Sequence, residues 1–373
     1  MRASGFFAVA AAVAMAVPAV AQAPPVPPEG GRGRLQADRI RYDAKNRVFE
    51  ARGNVRLQVG ETTITCQVLV YHVLTRVAWA EGAVRVRQPD VELLAPSVRY
   101  EIGPQVTTAE GGVEVVQEGT RLRARSLRFL HRERVAFAEG EVRLFNDRWT
   151  LDGERLRADL QNRRAEVQGP ARWVRKGGPP PPGREGDRIL AALSKEDTVL
   201  RADRRLTVEW ARTEEATAEG DVRLEQVDKR ARADEGTYSE SKDRIELVGR
   251  VRLEQTSGQW LLRERLVRPP RSREEEEALS SPAVLEAQRV VVQLGSRNAL
   301  AVGSVRVTQR GRSATGERAE YDDQEGRIVL SGRRVRLERE DGSWLEAQRV
   351  VVSLKEDTFE AYGAVDTTFT VRP

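Results

Sequence analysis

The sequence is poor in the residues from which disulfides, metal sites and most active sites are built. Its 373 residues include one cysteine and two histidines, and only 5% are aromatic. A single thiol excludes an intramolecular disulfide. There is no Gly-x-Ser-x-Gly elbow, no His-Glu-x-x-His pair, no phosphate-binding glycine loop and no metal-ligand spacing. We therefore predict that the protein is not an enzyme and uses no metal or other cofactor.

Neither sign of charge dominates, although charged residues are abundant. Lys and Arg number 62 against 57 Asp and Glu, which leaves a formal net charge of +5. The Lys and Arg residues recur at regularly spaced positions, which are expected to face outward, and do not gather in one stripe. Few aromatic side chains lie beside them. Because nucleic-acid binding needs such clustering, we exclude nucleic acid as a partner.

Long hydrophobic runs are missing except near the start of the chain. Arg2 precedes an apolar run over Phe6–Val17, and the small-residue site Ala19–Ala21 follows. This order predicts a cleavable signal peptide over residues 1–21. The run is short for a membrane span, which disfavours the alternative of a retained anchor. Residues 22–33 are rich in proline and glycine and are predicted to be a linker.

What the chain does contain is a repeat of about 29 residues marked by glycine. The marker glycines are Gly53, Gly82, Gly111, Gly140, Gly169, Gly220, Gly249, Gly303, Gly332 and Gly363. Consecutive markers are 29 residues apart from Gly53 to Gly169, and the same step separates Gly220 from Gly249. The markers define ten copies, of which the fifth and the ninth are degenerate.

Apolar residues alternate with charged residues on both sides of each glycine. Alanine recurs two residues before the glycine, and valine or leucine recurs two and four residues after it. Period-two alternation predicts a half-buried strand, and a glycine within a strand indicates a bend or bulge. These aliphatic columns can form either a filled core or an apolar trough. The candidate trough residues are Val55, Leu57, Val84, Val86, Val113, Val115, Val142, Leu144, Val222, Leu224, Val251, Leu253, Val305 and Val307.

The first half of each copy reads Leu-x-Ala-x-x-(Ile/Leu)-x-Tyr. Its aromatic column includes Tyr42, Tyr71 and Tyr100, and Cys66 occupies its small-residue column. The three-residue step from the small residue to the next apolar residue changes the face of the strand and predicts a bulge. Each copy is thus predicted to be two strands and two turns, which makes about twenty strands and an all-β fold. Cys66 is predicted to be a buried substitute for alanine.

The two histidines fall in turns between the strand halves. His72 and His131 have no partner residues at a fixed spacing that would make them metal ligands or general bases. We predict that both face solvent.

Two interruptions divide the repeats. Copies one to five cover residues 34–176, and a proline-rich insertion covers 177–198. Copies six to ten cover residues 199–373 and include an acidic loop at 268–283. A charge run of this kind is typical of a solvated loop, not of an ion site. The interruptions are either loops on one long body or dividers between two bodies.

The repeat resembles a known family. The motif Leu-x-Ala-Asp…Tyr-Asp…Ala-x-Gly-x-Val-x-Leu, seen at residues 35–57 with a similar copy at 313–337, is similar to the OstA-like (LptA-type) domain of lipopolysaccharide transport. That group contains a soluble periplasmic bridge protein, a related membrane-anchored periplasmic protein and the periplasmic part of an outer-membrane assembly barrel. The resemblance covers most of residues 34–371, although this chain is longer than a single bridge domain and carries two insertions.

The resemblance implies a fold, a cargo and partners. The implied fold is an elongated antiparallel β-jellyroll, bent like a taco, with an open apolar groove. The implied function is that of a periplasmic protein that binds the lipid A chains of lipopolysaccharide and carries them passively between the inner and outer membranes. The implied partners are other components of that transport system, joined by edge-strand addition, and head-to-tail copies of the chain.

Two other functions stay open from the residues alone. A structural or adhesive β-solenoid would have a fully packed interior and would carry no lipid. A polysaccharide-binding protein would need rows of exposed aromatic residues, and the six tryptophans do not share one column of the repeat.

Overall fold

The computed structural model describes residues 33–117, 119–179, 195–210, 214–239, 241–259, 262, 269–270, 272–293, 295–353 and 358–369. The predicted signal peptide lies outside these residues, as do nearly all of the predicted linker and residues 180–194 of the first insertion. The chain forms two compact units. The N-terminal unit comprises residues 33–173 and 205–210, and the C-terminal unit comprises residues 174–204 and 214–369, wherever these are described.

Strands make up most of both units. The first twelve are β1 (Gly33–Gln36), β2 (Arg39–Asp43), β3 (Val48–Val59), β4 (Thr62–His72), β5 (Val77–Arg87), β6 (Val91–Glu101), β7 (Val106–Gln117), β8 (Thr120–Leu130), β9 (Val135–Phe145), β10 (Trp149–Asp159), β11 (Arg164–Gln168) and β12 (Ala171–Arg175). The others are β13 (Thr198–Ala202), β14 (Arg205–Trp210), β15 (Glu214–Gln226), β16 (Lys229–Ser239), β17 (Arg244–Gln255), β18 (Ala283–Gln293), β19 (Ala299–Gln309), β20 (Arg312–Asp322), β21 (Arg327–Glu338), β22 (Trp344–Ser353), β23 (Thr358–Tyr362) and β24 (Asp366–Thr368).

Strands that follow one another in the chain pair antiparallel. In the N-terminal unit each strand from β3 to β9 pairs with the next, and β1 and β2 pair with the two halves of β3. In the C-terminal unit each strand from β15 to β21 pairs with the next, and β23 and β24 pair with the two halves of β22. The predicted all-β fold of repeated antiparallel two-strand units is confirmed.

Eight of the ten marker glycines lie within the long strands at or beside β-bulges, while Gly169 and Gly363 follow the short strands β11 and β23. In the pairing of β5 with β6, Gly82 and Ala83 stand opposite the single Pro96. Gly82 has φ +82°, and a Cβ atom there would lie 2.6 Å from the Cβ of Gln67 on β4. Only glycine accepts both this left-handed conformation and this close approach. The register shifts in the same way in the long strand pairs of both units, so the bulge predicted from the change of parity is confirmed.

The aliphatic columns that follow each glycine form much of the core of each unit. Val84 in the N-terminal unit and Val251 in the C-terminal unit are each 1% exposed. The arginines between these aliphatic positions, such as Arg85 and Arg87, point outward and pair with Glu92 on the neighbouring strand. Alternation along each strand therefore separates an apolar interior from a charged exterior.

The second interruption holds a helix that the sequence patterns did not predict. Helix α1 (Arg273–Ser280) lies inside the segment 268–283, which was predicted to be a loop. Its length of eight residues leaves too little apolar periodicity to detect, and an ion pair between Arg273 and Glu277, one helical turn apart, stabilises it. Among the helices in the described part of the chain, none has the length and apolar character to cross a membrane.

Candidate functional site

The N-terminal unit contains a largely apolar cavity of about 500 Å³ that is partly open to solvent. Its walls come from β1, β3, β4, β5 and β6 and from the turns that follow β4 and β6. The lining residues are Leu35, Phe49, Ala51, Leu57, Val59, Ile64, Leu69, Tyr71, Arg76, Ala78, Ala80, Val84, Val86, Val98, Tyr100 and Ile102. A cavity of this size falls within the range of about 300–1,000 Å³ that is typical of ligand pockets.

The bulges explain how one run of strands makes two walls. On β5, Ala78 and Ala80 precede the bulge while Val84 and Val86 follow it, and all four line the cavity. The same strand therefore contributes to the cavity from both of its halves, which requires that the sheet bend at the bulge. Alternation on β5 continues through the glycine, and the three-residue step from Ala95 to Val98 on the partner strand β6 keeps buried side chains on the inner face there on both sides of the bulge.

The structure brings together three of the fourteen residues predicted to line a groove. Leu57, Val84 and Val86 line the cavity of the N-terminal unit. The other predicted residues of that unit do not line it, although most are buried: Val55, Val113, Val142 and Leu144 are buried, and Val115 is half-buried. In the C-terminal unit Val222, Leu224, Val251, Leu253 and Val305 are buried and Val307 is half-buried, so their role in binding stays a prediction.

From the sequence, the strand halves that carry the aromatic column and its neighbours were not assigned to the groove. Phe49, Leu69, Tyr71 and Tyr100 line the cavity from strand halves that pair across β3 to β6. Tyr71 and Tyr100 belong to the aromatic column, which the repeat reveals clearly but which was not assigned to the groove. The signal was present, since these residues share the alternation that places Ala78 and Ala80 inside.

Arg76 is the one charged residue among those that line the cavity in the described chain. It ends the turn between β4 and β5 with φ 54°, and its carbonyl oxygen accepts a hydrogen bond from the backbone N–H of Ile102 at 3.0 Å. Arg76 itself is exposed. The cavity is thus apolar throughout except at the side where this turn lies.

His131 is not the solvent-facing turn residue that was predicted. Although it lies in a turn, its ring packs edge-on against Phe129, with ring centroids 4.6 Å apart, and its Nε2 atom lies 2.7 Å from the Thr107 hydroxyl. The Nδ1 atom is buried without a hydrogen-bond partner. Burial lowers the pKa of His131 to about 4, because a charged ring would lose its hydration.

Cys66 is buried in the small-residue column, as predicted. Burial raises the pKa of its thiol to about 11, so the reactive thiolate is scarce at neutral pH. No cluster of three or more His, Cys, Asp or Glu side chains in the described ranges could hold a metal ion.

The C-terminal unit buries charge at one end of its strands. The Lys229 side chain is 0% exposed, and its Nζ atom lies 2.5 Å from Asp228 Oδ1 and 3.8 Å from Glu196 Oε2. Beside this group, the Gln226 amide donates to the Thr198 hydroxyl at 2.9 Å. Ion pairs of this kind are compensated buried charges, and they make this end of the unit polar inside.

The fold and the cavity define a class of protein: an antiparallel β fold of repeated, bulged hairpins around an apolar chamber. Residues 32–154 match the family model of OstA-like proteins, and this match includes every residue that lines the cavity. The resemblance read from the repeat is thereby confirmed for this part of the chain.

The chain is similar to LptH, described as the LptA-homologous periplasmic component of the conserved lipopolysaccharide transport device from Pseudomonas aeruginosa. The identity is 20%, the match covers 30% of this chain and 83% of that one, and the TM-score is 0.28. Among curated proteins there is no significant match.

Proposed function

We propose that the protein binds the acyl chains of lipopolysaccharide or a similar lipid in the cavity of its N-terminal unit. On this proposal it acts in the periplasm, after export by its signal peptide, as a passive carrier between the inner and outer membranes. The single observation that carries the proposal is the apolar cavity of about 500 Å³ within an OstA-like segment.

Physical chemistry supports a lipid as the cargo. Each methylene group of an acyl chain that leaves water gains about 0.8 kcal/mol. The walls of the cavity are aliphatic and aromatic, so they offer burial without a directional polar contact along most of their extent. A carrier that works in this way needs no catalytic residue, and the energy for transport comes from elsewhere.

The edge strands of the N-terminal unit favour partners that bind by adding a strand. In the described chain β1 and β2 pair with β3 alone, so one side of each carries backbone groups open to another strand. Ile40 and Tyr42 on β2 are 51% and 49% exposed. Unpaired edges with exposed apolar side chains favour strand addition by another transport component or by a second copy of the chain.

Filling the cavity tests the proposal. The purified chain is titrated with lipopolysaccharide and, separately, with a fluorescent fatty acid, and the Ala78→Phe variant is compared with the wild type. Ala78 faces the cavity, so the added ring occupies the space of an acyl chain while it buries apolar surface, and we expect affinity to fall at least tenfold with folding retained.

Thr65→Phe is the matched control, because Thr65 lies next to Ile64 of the cavity wall but points to the opposite face of β4. The control is expected to bind as the wild type does. If wild-type protein takes up neither ligand, or if Ala78→Phe binds both as tightly as the control, the cargo proposal fails. The alternative of a structural β scaffold without lipid then takes its place.

A further inference from the structure

One residue in every second hairpin turn of the N-terminal unit has the same unusual conformation. Each lies at the end of the turn that precedes β3, β5, β7, β9 or β11, and each has a positive φ. These residues are Arg47 (52°), Arg76 (54°), Gln105 (56°), Arg134 (56°) and Arg163 (51°). They recur at intervals of 29 residues, so four copies place an arginine there and one copy places a glutamine.

Backbone hydrogen bonds stack these turns in register. The carbonyl oxygens of Arg47, Arg76 and Gln105 each accept a hydrogen bond, at 3.0 Å, from the next turn along the sheet, and Arg134 does so at 2.9 Å. Successive turns are two strands apart, which corresponds to about 10 Å. The arginines therefore form a row along one rim of the unit, here called the arginine rim.

The arginine rim is continuous with the cavity. Arg76 lines the cavity itself, and Phe49 and Ala78, each two residues beyond a rim arginine, line it as well. The side chains of Arg47, Arg76 and Arg134 are exposed, and no carboxylate in the described chain pairs with any of them. A cationic edge thus borders an apolar interior.

The C-terminal unit does not repeat this arrangement. In the described turns of that unit, the corresponding positive-φ residues are Asp243 (48°), Arg297 (60°) and Gly326 (64°). Of these only Arg297 is a cation, and its Nη2 atom lies 2.6 Å from Asp323 Oδ2. Arg47, Arg76 and Arg134 therefore differ from Arg297 in having no carboxylate partner among the described residues, and this is not a property of every copy of the repeat.

We propose that the arginine rim binds the phosphate or carboxylate groups of an anionic amphiphile whose hydrocarbon chains occupy the adjoining cavity. This inference rests on the proposed function, which supplies the chains, and adds the chemistry of the headgroup. Guanidinium groups bind phosphate and carboxylate through paired hydrogen bonds, and they are well suited to a site where part of the contact is shielded from water. Arg76 is the residue closest to the chains and contributes most to the choice of headgroup.

The test compares two ligands that have the same hydrocarbon chain but different headgroups. The full chain is loaded with a fluorescent apolar probe, which is then displaced by dodecyl phosphate or by dodecanol. We expect dodecyl phosphate to bind more tightly than dodecanol, and we expect Arg76→Gln to weaken the phosphate about three- to fivefold more than it weakens the alcohol.

Two further variants sharpen the result. Arg56→Gln removes the same charge from the outward face of β3, away from the cavity, and is expected to leave both ligands unchanged. Gln105→Arg fills the gap in the arginine rim and is expected to tighten binding of the phosphate alone. Because arginine already adopts this turn conformation in the neighbouring copies, folding should be retained.

The outcomes separate the headgroup inference from the cargo proposal. Equal effects of Arg76→Gln and Arg56→Gln, or equal binding of dodecyl phosphate and dodecanol, would overturn the headgroup inference and leave the cargo proposal intact. Inorganic phosphate is the third ligand. If inorganic phosphate binds as tightly as dodecyl phosphate does, and Ala78→Phe has no effect on dodecyl phosphate, the rim is a simple anion site and the inference is wrong.

Discussion

The two units share one repeat but differ in what they place at the ends of their strands. Six residues after the marker glycine the units agree, because Gln88 in the N-terminal unit donates to Thr62 as Gln226 in the C-terminal unit donates to Thr198. Nine residues after the glycine, Thr62 in the first copy corresponds to the fully buried Lys229. Where the N-terminal unit has an apolar cavity wall, the C-terminal unit has a buried ion pair.

This difference shows that the repeat determines the sheet, while residues beside its columns determine what the interior can hold. The aliphatic columns are buried in both units, and the bulge recurs in both. The turn residues and the strand ends vary freely within the same hairpin, because no bulge or ladder hydrogen bond depends on their side chains. Cargo chemistry is therefore expected to differ between two units of one fold.

The largest effect should follow from breaking the buried ion pair of the C-terminal unit. Lys229→Met leaves Asp228 and Glu196 without their cation in a buried site, and we expect a loss of about 3–5 kcal/mol of unfolding free energy. Hydrogen exchange followed by mass spectrometry assigns the loss to a unit. Faster exchange confined to the C-terminal unit is expected.

A variant that also removes the negative charges, Lys229→Met with Asp228→Asn and Glu196→Gln, serves as the control. It should recover most of the lost stability, because no uncompensated charge stays buried. If the single variant is as stable as the wild type, the contrast drawn between a polar and an apolar strand end is wrong.

An intermediate effect should come from acid, and it should begin in the N-terminal unit. His131 has an unfolded pKa near 6.5 and a folded pKa of about 4, so its stabilising contribution is complete above pH 6.5 and is lost as the pH falls towards 4. The loss should be on the order of 2–3 kcal/mol. Denaturant unfolding between pH 7 and pH 4 measures it.

His131→Phe should remove this pH dependence, while His72→Phe, at the end of β4, should keep it. Both histidines of the chain lie in the N-terminal unit. In the C-terminal unit the pKa of Glu215 is lowered by hydrogen bonds from Ser241 and Ser239, so its contribution is lost only at a pH below the usual carboxylate range. A C-terminal unit that loosens first on acidification would contradict this order.

The smallest effect on the free energy of unfolding should come from replacing a turn arginine, and it should differ between the two units. Arg297→Gln breaks the ion pair with Asp323, which also accepts a hydrogen bond from the Tyr321 hydroxyl at 2.8 Å, and should cost up to about 1 kcal/mol. Arg76→Gln breaks no ion pair and should change stability by less than about 0.5 kcal/mol. Urea unfolding of the two variants, compared with the wild type, tests this contrast, and equal losses would count against the difference drawn between Arg76 and Arg297.

Much of the fold could be predicted from the residues because its signals are local. Alternation through Val84 and Val86 marks a strand, Gly82 marks a bulge, and the change of parity across Pro96 marks the partner of that bulge. Helix α1 escaped prediction because a single short turn-rich segment has no repeat to amplify its signal. His131 was misplaced because its turn position says nothing about the side chains of Phe129 and Thr107 that enclose it.

The sequence by itself determined the strand pattern, the bulges and the inner face, since each depends on neighbours within one or two hairpins. Only the tertiary structure decided which inner positions meet around an empty chamber. Leu57, Val84 and Val86 line that chamber together with Tyr71 and Tyr100, whereas Val113 and Val142 are packed by their own neighbours. The physical reason is that period-two alternation fixes the face on which a side chain lies, but the space left between two faces depends on how sharply the sheet bends and on how well all the side chains between them fill it.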